Sequence, residues 1–215
     1  MHQALKRVTL FALTIYVLLG TTPVNARQNP HFTVFVYDDA QISSDVLAPA
    51  EQRATLIFVR AGLDLNWVNC PGVNTDPTLS SCDWTGGPDH LVQHIIAHVA
   101  SSTSDTAFGV AFLGLDGTGK YCDVFWKRVE EFHTSDDVDL AALLGSVMAH
   151  EIGHLLLGSH AHAISGIMRG HWESSQLHQI AMGTLLFLPW QEQRMRLRVA
   201  EWEARLVSNR DGLAQ

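Results

Sequence analysis

Two histidines four residues apart with a glutamate beside the first, His150-Glu151-Ile152-Gly153-His154, are the residues of this chain best placed to do chemistry. Residues four apart share a helix face, so both imidazoles can reach one metal ion while Glu151 flanks it. Neutral imidazole is a good zinc ligand, and zinc lowers the pKa of a coordinated water to about 7. A carboxylate at the position of Glu151 can take that water's proton. The spacing outlines a hydrolytic zinc site with Glu151 as candidate general base. A histidine pair on an apolar helix is also a common core feature, so the surroundings must decide.

The surroundings favour the metal. Upstream, Val138, Leu140, Leu143, Leu144, Val147 and Met148 recur at near-helical spacing, after Thr134, Ser135, Asp136, Asp137 and Asp139, residue types that suit a helix start. Downstream, Leu155-Leu156-Leu157 continues the apolar run. Gly158 then offers the positive φ that lets a helix stop and the chain turn back. Two more histidines, His160 and His162, lie past that turn, and Gly166-Ile167-Met168-Arg169 comes next.

From His150 to Met168 the chain resembles the metzincin metallopeptidases, above all the matrixin-like branch, whose pattern is H-E-x-x-H-x-x-G-x-x-H followed by a Met-turn. His150, Glu151 and His154 match directly, His160 falls at the third-ligand spacing, and Met168 falls where the Met-turn methionine would. One position departs: Leu157 stands where the pattern has glycine, and the glycine is Gly158. A helix one residue longer displaces the residues behind it and gives the chain slack to swing back, so His162 rivals His160. Geometry favours His162 and matched spacing favours His160; both stay open. The resemblance implies a zinc cofactor, protein or peptide substrates, and Met168 as an apolar floor under the metal rather than a ligand.

Composition bounds the setting. Lys6 and Arg7, an apolar run over residues 8–20 and Thr21-Thr22-Pro23-Val24-Asn25-Ala26 have the order of a secretory signal peptide, with cleavage expected after Ala26. The run is short of the roughly 20 residues a spanning helix needs, so no membrane association is expected after cleavage. Residues 27–215 are one domain's worth of chain. The net charge of -8 argues against the basic surfaces that nucleic acids or anionic membranes call for. In an oxidising compartment Cys70 and Cys82 would close a short Pro-, Gly- and Asn-rich loop, leaving Cys122 over. No C-x-x-C spacing suggests a cysteine-zinc site.

The elements needed to position the site can be read in order. Residues 31–37 read as a strand ending at Asp38-Asp39. A helix over residues 50–61 comes next, with Pro49 in its first turn and Gly62 at its end, and residues 63–69 alternate as a half-buried strand. His90, His94 and His98 lie four apart, but the isoleucines and valines around them favour a strand. Their plain reading is a solvated polar face; the functional one is a second metal or pH-sensing cluster. Residues 108–114 and 121–126 are two more strands around a glycine-rich turn. Past Met168, a helical stretch to about Met182, the apolar residues 185–188 and a final helix from Pro189 complete the chain, with Trp172 or residues 185–188 as candidate pocket walls or plain packing.

The order β-α-β-β-β-β-α makes this an α+β chain. The resemblance implies a metzincin-like zincin: a mixed, mostly parallel twisted sheet with an active-site helix over residues 27–158, and a small helical lower subdomain over 159–215. It also implies that residues 109–114 form an edge strand able to take up extended peptide. Trp126 and Tyr121 are expected to line the cleft. Few residues separate Ala26 from the first strand, so no inhibitory propeptide is expected. The reading is a monomeric zinc endopeptidase, secreted or periplasmic. Two alternatives stand beside it: a gluzincin whose third ligand is Glu173 or Glu192, and a catalytically silent zinc-binding module that recognises peptides or glycans.

Overall fold

The computed structural model describes residues 28–70, 82, 87–98, 107–136 and 138–213, with side chains as far as 208. Residues 1–27, on which the expected signal peptide falls, the whole loop between Cys70 and Cys82, and Asp137 lie outside the described residues.

Strand β1 (His31–Asp38) alternates so that Phe32, Val34 and Val36 face the core while Phe35 and Tyr37 face the other side. Helix α1 (Ser44–Arg60) crosses over and returns the chain to β2 (Asp64–Cys70), parallel to β1. Strand β3 (His90–Ile96) pairs parallel with the other side of β1. The hairpin of β4 (Gly109–Phe112) and β5 (Tyr121–Phe125) adds a parallel partner for β3 and an antiparallel edge, giving the order β2-β1-β3-β5-β4. The expected mixed, mostly parallel sheet is therefore present, with β4 at one edge. On its outer face Phe35, Val92 and Cys70 form a smaller cluster, and Cys70 is bonded to Cys82 as expected, with Cα atoms 5.7 Å apart. Cys122 is a free, buried thiol on the core face.

The core helix is α3 (Leu140–Leu157), apolar enough to span a membrane by length and composition, but 83% buried inside the protein. Asp139 caps it, its carboxylate accepting a bond from Ala142 N at 2.7 Å. Gly158 ends it at φ 79°, ψ −160°, a conformation essentially confined to glycine. Phe58 meets Phe32 edge to face and Phe187 at a tilt, both at a centroid distance of 5.4 Å, joining β1, α1 and the C-terminal segment. Gln93, fully buried on β3, donates to Met148 O at 3.2 Å and so ties the sheet to α3 two residues ahead of His150. Helices α4 (Ser174–Met182) and α5 (Pro189–Leu213) complete the chain, the latter packed on α3 and β1, with Pro189 as the first helical residue as expected.

Two expectations are corrected. A helix unforeseen in the sequence, α2 (Trp126–Asp136), stands between β5 and α3. Thr134 and Ser135 close it rather than open α3, their hydroxyls donating back to Glu130 O and Phe132 O. Pro49 lies inside α1, which starts at Ser44.

Candidate metal centre

His150 and His154 stand one turn apart on α3, and their Nε2 atoms approach to 3.1 Å. His162, from the loop after α3, completes a group whose ligand atoms all lie within 4.8 Å of one another. The three rings meet at centroid distances of 4.8, 4.7 and 5.5 Å. His160 is outside that group; it is exposed and takes a positive φ of 63°.

The donor set fits zinc. With Zn–N bonds of about 2.0–2.1 Å, a tetrahedral ion sets its nitrogen ligands about 3.3 Å apart, close to the His150–His154 separation. His150 Nδ1 donates to the carbonyl of Ile167 at 2.7 Å, so its Nε2 keeps a free lone pair on the side facing the other rings. Burial, then the neighbouring rings, hold His154 down to about 3; burial likewise pulls His150 down to about 4, with the Ile167 bond opposing. Both imidazoles are thus neutral at physiological pH, the form a metal requires.

Glu151 is 4% exposed and borders the same cavity. Burial, then the charge of Asp123, raise its carboxyl to about 8. Gly109 at the start of the edge strand lies directly against it: a Cβ there would come 2.7 Å from Glu151 Cγ and 2.4 Å from Asp123 O. Beneath the motif, a Cβ on Gly153 would meet Met168 Sδ at 2.6 Å and the Phe187 ring at 2.8 Å, so glycine inside the motif is what lets buried Met168 lie against the helix. Met168 is thus a buried methionine packed against the motif helix at Gly153.

The cavity, of about 270 Å³, is bounded by residues 107–111, Val147, the three histidines, Glu151 and residues 169–172. Trp172 borders it and is at the same time buried in the core, so both of its expected roles fall on the one side chain. Residues 185–188 are packing instead: Leu185 and Phe187 are buried in the core. Trp126 and Tyr121 are corrected: neither borders the cavity, because β4 lies outside β5, Tyr121 pairs with Phe112 at the sheet edge and Trp126 packs on the core. Sequence reasoning missed Phe108, Val147, Arg169 and His171 as lining residues. Val147 was detectable, since it stands one turn before His150. Glu173 is held by Arg169 at 2.6 Å and Glu192 lies 3.9 Å from Arg196; neither belongs to the histidine group. On β3, His94 lies tilted against Tyr37 and His90 edge-on to Phe35, and among the described residues neither joins a metal-ligating group.

No protein-family model and no curated protein matches the sequence. Among solved structures, the chain is similar to archaemetzincin from Methanopyrus kandleri, at 13% identity and a TM-score of 0.49 over 81% of this chain and 99% of that one. It is also similar to metalloproteinase-II from Bacteroides fragilis, at 12% identity and a TM-score of 0.43 over 77% of this chain and 56% of that one.

Proposed function

We propose that this chain is a zinc-dependent metallopeptidase in which His150, His154 and His162 hold the ion and Glu151 is the general base. The observation that carries this reading is the convergence of the three imidazoles on one point, beside a buried carboxylate, in a cavity bordered by an edge strand. A bound zinc ion supplies Lewis acidity, polarising a carbonyl and making water nucleophilic near neutral pH. The rest belongs to the chain. Residues 109–111 offer an extended backbone along which a peptide can lie. Glu151 accepts the proton of the attacking water and delivers it to the departing amine. Export to an oxidising compartment is part of the proposal, supported by the Cys70–Cys82 disulfide and by the signal-like order of residues 6–26.

Zinc content tests the ligand set. One zinc per chain, lost in His162→Ala and kept in His160→Ala, is expected; loss in His160→Ala alone refutes the assignment, and no uptake by the parent refutes the metal reading. Cleavage of a broad peptide library tests the reaction. It should disappear in Glu151→Ala with zinc retained. A parent that binds zinc but cleaves nothing is the recognition module instead.

A further inference from the structure

One side chain outside the histidine group is tied to the group's geometry. The carbonyl of Ile167, which accepts the Nδ1 bond of His150, also accepts a bond from the indole Nε1 of Trp172 at 3.2 Å. Trp172 is 6% exposed, and its ring stands edge-on to His150 at 5.7 Å and against Phe108 at 5.9 Å. The indole N–H therefore closes the loop from Ile167 to Trp172. That loop also touches a second ring of the group, because a Cβ on Gly170 would lie 3.1 Å from His162 Nδ1. At its other end the loop is anchored by Ile167 N, which donates to Leu186 O at 2.9 Å.

We infer that Trp172 is a positioning residue of the metal centre, acting through the Ile167 carbonyl on His150 and through the closed loop on His162. A carbonyl in a loop can rotate about its peptide plane; a second donor on it restricts that rotation and with it the direction in which His150 is held. Groups that orient a ligating histidine in this way contribute about 10- to 100-fold to metal affinity. Packing alone would not need the N–H, since a ring of the same shape fills the same space. This inference rests on the metallopeptidase reading only so far as the histidines bind zinc.

The test uses the full chain with Trp172→Phe, and with a benzothienylalanine at position 172, which keeps the shape of indole and replaces its N–H by sulfur. Zinc affinity is read by competition with a chromophoric chelator, the ligand field by the visible spectrum of the Co²⁺ form, and folding by the melting temperature of the metal-free protein. Both replacements are expected to weaken zinc about tenfold and to alter the Co²⁺ spectrum. The benzothienyl form should melt close to the parent, and it carries the test if Trp172→Phe fails to fold. A parent that binds one zinc, with a benzothienyl form that binds it within twofold and gives the parent's Co²⁺ spectrum, overturns the role of Trp172 and leaves the metallopeptidase reading standing. A parent that takes up no zinc overturns both.

Discussion

Replacing Glu151 by glutamine should shift the stability of the metal-free protein in the variant's favour as the pH rises. In the folded state the Glu151 carboxyl is pushed up to about 8, against 4.5 for the ordinary group, because the carboxyl is buried and Asp123 is near. A folded pKa above the unfolded one means that the group's contribution is complete below pH 4.5 and drains away as pH rises to 8, where the unfolded chain has released a proton that the folded chain retains. Each unit is worth about 1.4 kcal/mol, so the loss approaches about 5 kcal/mol as an upper limit. Glutamine has nearly the same volume and no charge, and whatever its amide costs to bury is independent of pH. The difference between Glu151→Gln and the parent should thus hold only that fixed offset at pH 4.5 and move steadily in the variant's favour up to pH 8. With about 2–4 °C per kcal/mol for a chain of this size, that movement appears as a rise of some ten degrees or more in melting temperature. The assay is thermal unfolding of chelator-treated protein at several pH values. Zinc should shrink the difference, since a cation beside the carboxylate favours its charged form. A difference between variant and parent that is the same at pH 5 and pH 8 refutes the reasoning.

The same geometry sets the outcome of other perturbations. In the Glu151→Gln background the buried imidazoles are left as the main titrating groups of the site. His150 and His154, held down to about 4 and about 3 against 6.5, contribute stability that is complete above pH 6.5 and falls as the pH drops, so denaturant unfolding of the metal-free variant should show a loss of about 2 kcal/mol from each, at most about 4 kcal/mol together, between pH 6.5 and 5. Gly153→Ala drives a methyl group into Met168 and Phe187 and should cost about 1–3 kcal/mol by the same assay while weakening zinc binding; a variant with parental stability and affinity contradicts the packing described. Replacing Cys70 and Cys82 together by serine opens a loop with a sequence separation of 12 and should cost about 3 kcal/mol, measured against the parent under non-reducing conditions.

The parts of the fold that were legible in the sequence are those whose signals are local. Strand β1 shows its β-branched and aromatic run, β2 its alternation, α3 its apolar run bracketed by Asp139 and Gly158, and His150 and His154 their single-turn spacing. Helix α2 was illegible because nothing punctuates its start: Phe125 ends a strand and Trp126 begins a helix with no cap or turn residue between them. Its end imitated a beginning, since Thr134 and Ser135 are favoured caps, yet here their hydroxyls bond to carbonyls of the turn before. The lining residues Phe108 and Trp172 were hard to rank for another reason. They lie on either side of the chemistry in sequence and meet only because the edge strand and the loop after Met168 close over the same helix.

The third imidazole shows the same limit within a few residues of a strong motif. Leu157 is buried in the core and continues the helix, so the turn must wait for Gly158. His160 then takes a second positive φ, and beyond it the chain is pinned on both sides of His162. Ala161 O accepts a bond from the fully buried Gln191 on α5, and Ala163 N donates to Met168 O. Between those two anchors the chain has little freedom, and the residue held there is His162. Counting from His150 points to His160, because counting assumes that the turn comes where the pattern puts it, while the late glycine, Gly158, favours His162 by the slack it gives the chain. The selection of His162 falls to a glutamine 30 residues along the chain from Ala161 and to the backbone of Met168, neither of which is a local signal at His162.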